Sequence, residues 1–314
     1  MPADPLVRRR QLPPDPSWGR IDLDGWPLRT VRWQAPAGSA GSLLFVGGRA
    51  DFIEKYSEAY WTWRSDWGLG VATFDWRGQG LSGRLGDAPH KGHGEFDRWT
   101  DDLDRIVAWF AATMPAPHYL VAHSMGGHLA LRHLARGSSP IARAVLLAPM
   151  LGIRTAPLPP KLARRLADAA VRAGLGGRYA LLQRGYGAWQ QRPERQALLT
   201  GCPDRFADEH WWIAEAPELA LGGITWGWLA SASRSIDRLF AAQALERIAT
   251  PLLLLAGEHE RLVEVAAIRR AAERLPTGEF RLIPGGRHEL LRDVEPVRDA
   301  TQAAIRDFLL GPAS

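Results

Sequence analysis

The sequence predicts an α/β fold in which a mostly parallel central sheet has helices on both faces and an inserted helical cap. Three observations carry this prediction. Short apolar runs alternate with helix-length runs in the N-terminal and C-terminal thirds of the chain, as in successive βαβ units. Several of the short runs, such as residues 42–46, are apolar throughout, which is typical of strands buried on both faces. Between the two thirds, from Pro149 to about Arg234, helical runs broken by Pro and Gly replace the strands.

The composition limits the class of protein. With 314 residues, 46% of them hydrophobic, the chain can bury a large core, so we expect one folded domain with an insertion. The single cysteine, Cys202, excludes an internal disulfide and fits a reducing compartment. Residues 1–18 lack the apolar core of a secretory signal, and no apolar stretch approaches the ~18 residues of a membrane span. We therefore expect a cytoplasmic protein.

The N-terminal third begins with residues 1–17, which we expect to be a loosely held arm. An opening hairpin is predicted from strands at 20–23 and 28–33. Two buried strands follow, at 42–46 and 71–75, with a helical region between them at 52–67. A helix is predicted next, because apolar residues recur at spacings of three and four at Phe96, Trp99, Leu103, Ile106 and Phe110. After the insertion, strands at 252–256 and 280–283 are each followed by a helix, at 263–275 and 294–310.

The strongest catalytic signal lies around Ser124. An apolar run, Tyr119 to Ala122, predicts a buried strand; a helix-forming run begins at His128, and a strand at 144–148 follows that helix. Ser124 thus occupies the centre of a G-x-S-x-G nucleophile elbow with Ala122 in the first glycine position. A strained serine pushes its hydroxyl out of such a turn, so the residues two before and two after it must be small. The alternative is a serine in an ordinary strand–helix turn. We predict Ser124 as the nucleophile.

A serine hydroxyl needs a general base, and the chain offers nine histidines. His288 follows the strand at 280–283, which places it at the carboxyl edge of the sheet, where the elbow also opens. His123 is expected to point away from the serine. Two histidines lie on the elbow helix and are interpreted as structural, namely His128 and His133. Two more lie in a Gly/Pro-rich loop with a spacing that suits a metal but without an evident third ligand, namely His90 and His93. His288 is the predicted base, and no metal site is expected.

The base in turn needs a carboxylate to orient it. The strand at 252–256 runs into a turn with two candidates, Glu258 and Glu260. Glu260 is preferred because it lies at the far side of the turn, where the next helix opens. Glu258 stays a rival, and a solvated acidic turn is the alternative interpretation of both.

Two backbone N–H groups are expected to stabilise the negatively charged oxygen of the transition state. One is that of Met125, directly after the nucleophile. The other is that of Arg49, where Gly47 and Gly48 let the backbone approach closely. A second Gly-rich motif, at 78–83, matches G-x-G-x-x-G, but a Pro/Gly-rich loop rather than a helix follows it. We therefore expect no nucleotide and no other cofactor.

The insertion carries an uneven charge. The net charge of the whole chain is +5, yet residues 151–200 contain nine Lys and Arg against Asp168 and Glu194, which makes that stretch +7. No nucleic-acid-binding fold is evident, so no nucleic-acid partner is expected. We predict a cap at 151–234, inserted in a core of 18–150 and 235–314. The predicted helix at its start places basic residues on one face and apolar residues on the other, so it is a candidate for peripheral contact with an anionic membrane, or simply a lid with a solvated outer face. Four tryptophans are candidates to line an acyl-chain site or to form the core of the cap: Trp211, Trp212, Trp226 and Trp228.

Several of these motifs together resemble a known family. Residues 74–83, 122–127 and 284–291 are similar to motifs of the bacterial lysophospholipase and monoacylglycerol lipase group of α/β-hydrolases, and 48–56 with 222–226 resemble the lysophospholipase branch. The similarity runs from about residue 20 to the end of the chain. Three departures are Ala122 for glycine, Gly47 where the monoacylglycerol lipases have histidine, and Glu260 for aspartate.

The resemblance implies an α/β-hydrolase fold and hydrolysis of the carboxylic ester of a single-chain lipid, with release of a fatty acid. Two other functions stay open. One is a proline-type aminopeptidase, which would need carboxylates in the cap to hold a substrate amine; the basic stretch at 151–200 disfavours it, although Glu209, Glu215 and Glu218 lie beyond. The other is a non-catalytic binding protein of the same fold, which commonly lacks the serine or the histidine.

Overall fold

The computed structural model describes residues 4–86, 94–241 and 243–311, and within these ranges an eight-stranded sheet forms the centre of the molecule. Its strands lie in the order β1-β2-β4-β3-β5-β6-β7-β8. The first two strands are antiparallel to their neighbours, and β3 to β8 are parallel to one another. In chain order the strands are β1 (Ser17–Asp22), β2 (Pro27–Trp33), β3 (Ser42–Val46), β4 (Gly70–Phe74), β5 (His118–His123), β6 (Ile141–Leu147), β7 (Leu252–Gly257) and β8 (Gly278–Ile283).

Helices flank this sheet and fill the long connection between β6 and β7. They are α1 (Pro5–Arg10), α2 (Ser57–Trp61), α3 (Phe96–Thr113), α4 (Met125–Leu134), α5 (Pro160–Arg172), α6 (Pro193–Leu199), α7 (Pro203–Glu215), α8 (Trp226–Phe240), α9 (Val265–Arg274) and α10 (Glu295–Leu310). Shorter helical turns at Ile53–Tyr56 and Thr62–Asp66 extend α2 at its two ends. None of the helices described here combines the length and the apolar character that crossing a bilayer requires.

Side chains from neighbouring strand positions go to opposite faces of the sheet. Leu44 and Leu254 pack into one buried cluster with α3, α4 and α9, whereas Leu43 and Leu253 pack into another with α2 and α10. A strand whose neighbouring residues enter two different cores must be apolar at every position, which explains the continuous apolar runs. The predicted architecture, a mostly parallel sheet with helices on both faces and a helical insertion, is confirmed.

The N-terminal segment differs from the loosely held arm that the sequence predicts. Helix α1 packs against α2 and α7. Arg8 pairs with Asp66 at 2.7 Å, and Arg9 and Arg10 pair with Asp208 of α7 at 2.8 and 2.7 Å. These partners lie far along the chain, so a local reading of a Pro- and Arg-rich segment has no means of finding them.

Helix α5 packs on α8 through two small residues, Ala163 and Ala167, both of which are buried. Its leucines point elsewhere: Leu162 and Leu166 are 44% and 41% exposed. Arg164 forms an ion pair with Asp237 of α8. The helix is therefore amphipathic as predicted, and its leucine face is turned outward instead of into the protein.

Candidate active site

The parallel arrangement of β3, β5, β7 and β8 brings four loops to one edge of the sheet. These loops begin directly after Val46, His123, Gly257 and Ile283, at the carboxyl ends of their strands. This edge is where open α/β sheets bind their ligands. Ser124, Glu260, His288 and Arg49, which the sequence predicts for catalysis, lie on these loops, and Met125 is the first residue of helix α4 directly after one of them.

Ser124 occupies a sharp turn between β5 and α4. Its backbone has φ 51° and ψ −114°, a conformation that is costly for a residue with a side chain. The turn is held by its N–H, which donates to the carbonyl of Leu147 at 2.9 Å. Gly126, two residues after the serine, is required for a reason that the sequence does not reveal. A Cβ on Gly126 would lie 2.5 Å from the carbonyl oxygen of Val46 and closer still to that of Gly47, so the crowding comes from the end of β3 rather than from Ala122.

Three side chains form a continuous hydrogen-bonded line at this edge. The Nε2 atom of His288 lies 3.0 Å from Oγ of Ser124, and its Nδ1 atom lies 2.7 Å from Oε2 of Glu260. The other carboxylate oxygen of Glu260 accepts the N–H groups of Leu262 and Val263 at 2.6 and 3.1 Å. Both His288 and Glu260 are buried. The arrangement has the geometry in which a base can take the hydroxyl proton while a fixed carboxylate orients the base.

The rival carboxylate lies outside this line. Glu258 is exposed, and its Oε2 accepts the N–H of Gly285 at 2.9 Å. The geometry therefore favours Glu260 over Glu258 as the partner of His288, in the order that the sequence prefers.

The electrostatics of this line favour a charged pair. Burial opposes the negative charge of Glu260, but His288 and the two N–H donors outweigh it and lower the pKa of this carboxyl. Burial likewise opposes a positive charge on His288, yet the carboxylates of Glu260, Glu289 and Asp51 together raise its pKa. The imidazolium that forms when His288 takes a proton is thus stabilised where it arises.

The loop after β3 passes directly over the serine. A Cβ on Gly48 would lie 3.1 Å from Cβ of Ser124 and 3.0 Å from Nδ1 of His123, so a larger residue would have to displace its neighbours. The N–H of Gly48 donates to Oδ2 of Asp51 at 2.6 Å, which fixes the loop. Within the described part of the chain, the N–H groups of Arg49 and Met125 donate to no protein acceptor. These are the two groups that the sequence predicts as donors to an oxyanion.

A buried group of charged side chains supports this loop, and we call it the Lys55 cluster; it consists of Asp51, Lys55, His123, Glu209, Glu289 and Arg292. The Nζ atom of Lys55 lies 2.8 Å from Asp51, 2.9 Å from Glu209 and 2.7 Å from Glu289. Arg292 pairs with both glutamates. Burial opposes the charge on Asp51, but Lys55 and His123 hold its pKa well below the usual range. The cluster joins the loop over the serine, the neighbour of His288 and helix α7.

Sequence reasoning misses this cluster. His123, which was expected to point away from Ser124, makes two contacts of its own: its Nδ1 lies 2.9 Å from Asp51 and its Nε2 lies 3.2 Å from the carbonyl oxygen of His288. The available signal was the charge of Asp51 and Lys55 in a segment rich in aromatic residues. Such a signal does not say which distant residues neutralise these charges.

The two histidines of helix α4 are held by structural contacts. His128 lies 2.7 Å from the hydroxyl of Ser235, and burial lowers its pKa to about 3. His133 lies 2.5 Å from Asp104. The residues His90 and His93 lie outside the described ranges.

The Gly-rich loop at 78–83 wraps around a carboxylate. Asp75 accepts the N–H groups of Ile53 and Leu81 at 2.9 and 2.8 Å. A Cβ on Gly80 would overlap this carboxylate, so the glycine is needed for the turn itself. The motif therefore has a structural explanation.

The four predicted tryptophans do not form one site. Trp228 is buried against Phe96, with 5.5 Å between ring centres, and the guanidinium of Arg49 lies 5.8 Å from its ring. Trp226 packs against the core. Trp211 and Trp212 meet edge to face and lie near the N-terminal segment, where Arg10 lies 5.0 Å from the ring of Trp211. Of the four, Trp228 is the one that the described contacts bring to the loop over the serine.

Comparison with known proteins gives one family and several relatives. The family described as "Hydrolase_4: Serine aminopeptidase, S33" matches residues 38–295. Lysophospholipase L2 of Escherichia coli K12 is 32% identical over 302 residues, which cover 91% of this chain and 85% of that protein. A probable lysophospholipase L2 of Haemophilus influenzae is 31% identical over 270 residues, which cover 85% of this chain and 83% of that protein.

Solved structures share the α/β-hydrolase fold. A soluble variant of monoglyceride lipase from Saccharomyces cerevisiae superposes with a TM-score of 0.74 at 16% identity, covering 94% of this chain and 96% of its own. The monoacylglycerol lipase of Paleococcus ferrophilus superposes with a TM-score of 0.69 at 24% identity, covering 90% and 98%.

Proposed function

This chain belongs to the Hydrolase_4 (serine aminopeptidase, S33) family, and from that premise we propose that it hydrolyses the carboxylic ester of a single-chain lipid, with Ser124, His288 and Glu260 as its catalytic triad. The observation that carries the proposal is the hydrogen-bonded line from Ser124 through His288 to the buried Glu260. The relatives named lysophospholipase, each more than 30% identical, support a lipid ester as the substrate.

In the proposed reaction, Oγ of Ser124 attacks the ester carbonyl carbon while Nε2 of His288 takes the hydroxyl proton. Glu260 holds the Nδ1 proton, which keeps Nε2 free to accept. The carbonyl oxygen becomes negatively charged and accepts hydrogen bonds from the N–H groups of Met125 and Arg49. Met125 is the first residue of helix α4, and the dipole of this helix adds to the stabilisation. The imidazolium then returns the proton to the departing alcohol, which leaves an acyl-enzyme. A water molecule then attacks the acyl carbonyl carbon while His288 takes its proton. His288 returns this proton to Oγ of Ser124 as the fatty acid is released.

We further propose that residues 151–234 form a cap over a core made of 18–150 and 235–314, and that helix α5 contacts the lipid surface. Its exposed Leu162 and Leu166 offer apolar area, and in the described ranges the basic residues Lys161, Arg165 and Arg172 form no ion pair with a carboxylate. An amphipathic basic helix of this kind is suited to an anionic membrane or micelle.

The aminopeptidase alternative is less well supported. It needs a carboxylate in the cap that is free to hold a substrate amine. Glu209, the buried carboxylate that faces the core, is already paired with Lys55 and Arg292. Glu215 and Glu218 are exposed. A non-catalytic role is also disfavoured, because the serine and the histidine are both present and within hydrogen-bond distance.

The test is a panel of lysophospholipids, monoacylglycerols, short p-nitrophenyl esters and aminoacyl amides, with Ser124→Ala as the control variant. We expect ester hydrolysis by the wild type, none by Ser124→Ala at an unchanged melting temperature, and fluorophosphonate labelling of Ser124. An active Ser124→Ala, labelling at another residue, or cleavage of amides in preference to esters would end this proposal.

A further inference from the structure

The Gly-rich loop at 78–83 contacts the loop that passes over the serine. The side-chain amide oxygen of Gln79 accepts the N–H of Ala50 at 2.7 Å. Gln79 is buried, and two backbone hydrogen bonds fix its own position. Its N–H donates to the carbonyl of Trp76 at 2.9 Å, and its carbonyl accepts the N–H of Ser82 at 3.0 Å. Gln79 therefore presents its amide to Ala50 from a well-fixed turn.

Ala50 depends on such a partner because its backbone is strained. Its φ is 63°, in the left-handed region that residues with a side chain rarely adopt. A conformation of this kind persists only where the surrounding structure holds it. In the part of the chain that the structure describes, the N–H of Ala50 donates to Gln79 and to no other acceptor. Loss of this acceptor would let the backbone at Ala50 relax.

The hydrogen bonds of this loop leave one N–H group for a substrate. The N–H of Gly48 donates to Asp51 at 2.6 Å, and the N–H of Ala50 donates to Gln79. Arg49 lies between these two residues, and its own N–H meets no acceptor within the described ranges. The loop is thus fastened on both sides of the group that the proposed reaction uses as an oxyanion donor.

The loop after β4 also holds the loop over the serine at a second point. The indole N–H of Trp76 donates to the carbonyl of Gly47 at 2.7 Å. Donors that are already in place stabilise a developing oxyanion most strongly, because no reorganisation is needed while the charge forms. A residue that fixes such a donor therefore affects the rate without contacting the substrate.

We propose that Gln79 is a positioning residue of the oxyanion site: it holds Ala50 and thereby keeps the N–H of Arg49 in place for the transition state. The inference rests on the proposed function, because it assigns a support to the same reacting site. The Gly-rich motif then serves two purposes. Its Gly80 leaves room for the carboxylate of Asp75, and its Gln79 supports the loop over the serine.

The test is the variant Gln79→Met, which keeps the length of the side chain and removes the acceptor. Its matched control is Ser82→Ala in the same loop, because the buried hydroxyl of Ser82 bonds to the N–H of Arg29 and the carbonyl of Asp75, both at 2.8 Å, and not to the loop over the serine. Complete removal of an oxyanion donor costs about 10²–10³ in kcat, so we expect displacement of one to cost roughly ten- to a hundredfold on a p-nitrophenyl ester. KM should change less than about threefold, and Ser82→Ala should keep kcat within about threefold of the wild type.

Two measurements separate positioning from a loss of folded protein. The first is kcat per active site, with the sites counted by complete fluorophosphonate labelling of Ser124; a purely structural role would lower the count and leave this kcat unchanged. The second is inhibition by a trifluoromethyl ketone, which becomes an oxyanion when Ser124 adds to it. Its affinity should fall in Gln79→Met by the same factor as kcat/KM. Gln79→Glu keeps an oxygen for the N–H of Ala50 and should restore most of kcat.

An unchanged kcat per site in Gln79→Met, or a rise in KM alone, would overturn this role. If Gln79→Met does not fold, Gln79→Asn decides by the same criteria, because its shorter side chain withdraws the oxygen from Ala50. Failure of the proposed function is a different result, namely that the wild type hydrolyses no lipid ester. The rate of fluorophosphonate labelling of Ser124 still tests Gln79 in that case, since the phosphonyl oxygen uses the same N–H donors, and it should be at least about tenfold lower in Gln79→Met.

Discussion

The substitution Glu260→Gln tests the proposed triad at the residue where the sequence was least decisive. In the native site, one carboxylate oxygen of Glu260 accepts two backbone N–H groups, and the other faces Nδ1 of His288 at 2.7 Å. Only an oxygen can accept both backbone donors. The amide of the introduced glutamine therefore has to place its oxygen there and turn its NH2 group towards His288.

This orientation reverses the roles on the imidazole. Nδ1 now has to accept a hydrogen bond, so the ring proton moves to Nε2, the atom 3.0 Å from Oγ of Ser124. A protonated Nε2 cannot take the hydroxyl proton. Forcing the wrong tautomer in this way costs a serine protease roughly 10⁴-fold in kcat, so we expect a loss of about four decades, or ~5.5 kcal/mol of transition-state stabilisation.

The assay is the kcat for a soluble p-nitrophenyl ester, with melting temperatures to confirm folding. Glu258→Gln is the matched control, because its carboxylate accepts a single N–H, that of Gly285, which a glutamine oxygen can also accept. Its activity should stay within about threefold of the wild type. If Glu260→Gln retains a tenth of the activity or more, the tautomer argument is wrong. If the two variants exchange their behaviour, Glu258 is the acid.

Three further outcomes are expected. Because neighbouring carboxylates raise the pKa of His288, its cationic form persists to higher pH. We therefore expect kcat/KM to fall on acidification with an apparent pKa above the ordinary 6.5. An apparent pKa below 6.5 for this fall would contradict the argument. Gly126→Ala should lower the melting temperature, because the new Cβ would lie 2.5 Å from the carbonyl oxygen of Val46, at a cost of about 1–3 kcal/mol in stability. Gly187→Ala is the control and should be tolerated, because a Cβ there meets nothing within 4 Å. Equal melting temperatures of the two variants would contradict the packing argument. Changing Lys161, Arg165 and Arg172 of α5 to Glu should lower activity on anionic lipid aggregates more than activity on monomers. An equal loss on aggregates and on monomers would contradict the membrane role of this helix.

Much of the fold was predictable because its signals are local. A strand buried on both faces has to be apolar at every position, so β3 and β7 are visible in the sequence without any knowledge of their neighbours. Parallel strands also end at one edge, which is why the residues that follow them, including Ser124 and His288, were expected to meet.

Most of the contacts that the sequence did not reveal join residues far apart in the chain. The docking of α1 depends on Asp66 and Asp208, neither of which has a local signature. The orientation of α5 was not predictable for a related reason: periodicity shows that a helix has two faces, and the partner decides which face is buried. Here α8 accepts only the small Ala163 and Ala167, so the leucines stay outside.

The attachment of helix α7 also divides the proposed cap into two parts that are held in different ways. Glu209 is fastened to Lys55 at 2.9 Å, Asp208 to Arg9 at 2.8 Å and Arg205 to Glu58 at 2.7 Å, and all six side chains are largely buried. Breaking a buried ion pair costs about 3–5 kcal/mol, so we expect helix α7 to stay fixed to the core. Helix α5 is held on α8 by two buried alanines and by two ion pairs between the helices, Arg164 with Asp237 and Arg234 with Asp168. The side chains of these pairs are partly exposed, so water weakens them. If the proposed cap opens, we expect helix α5 to move while helix α7 stays attached to the core.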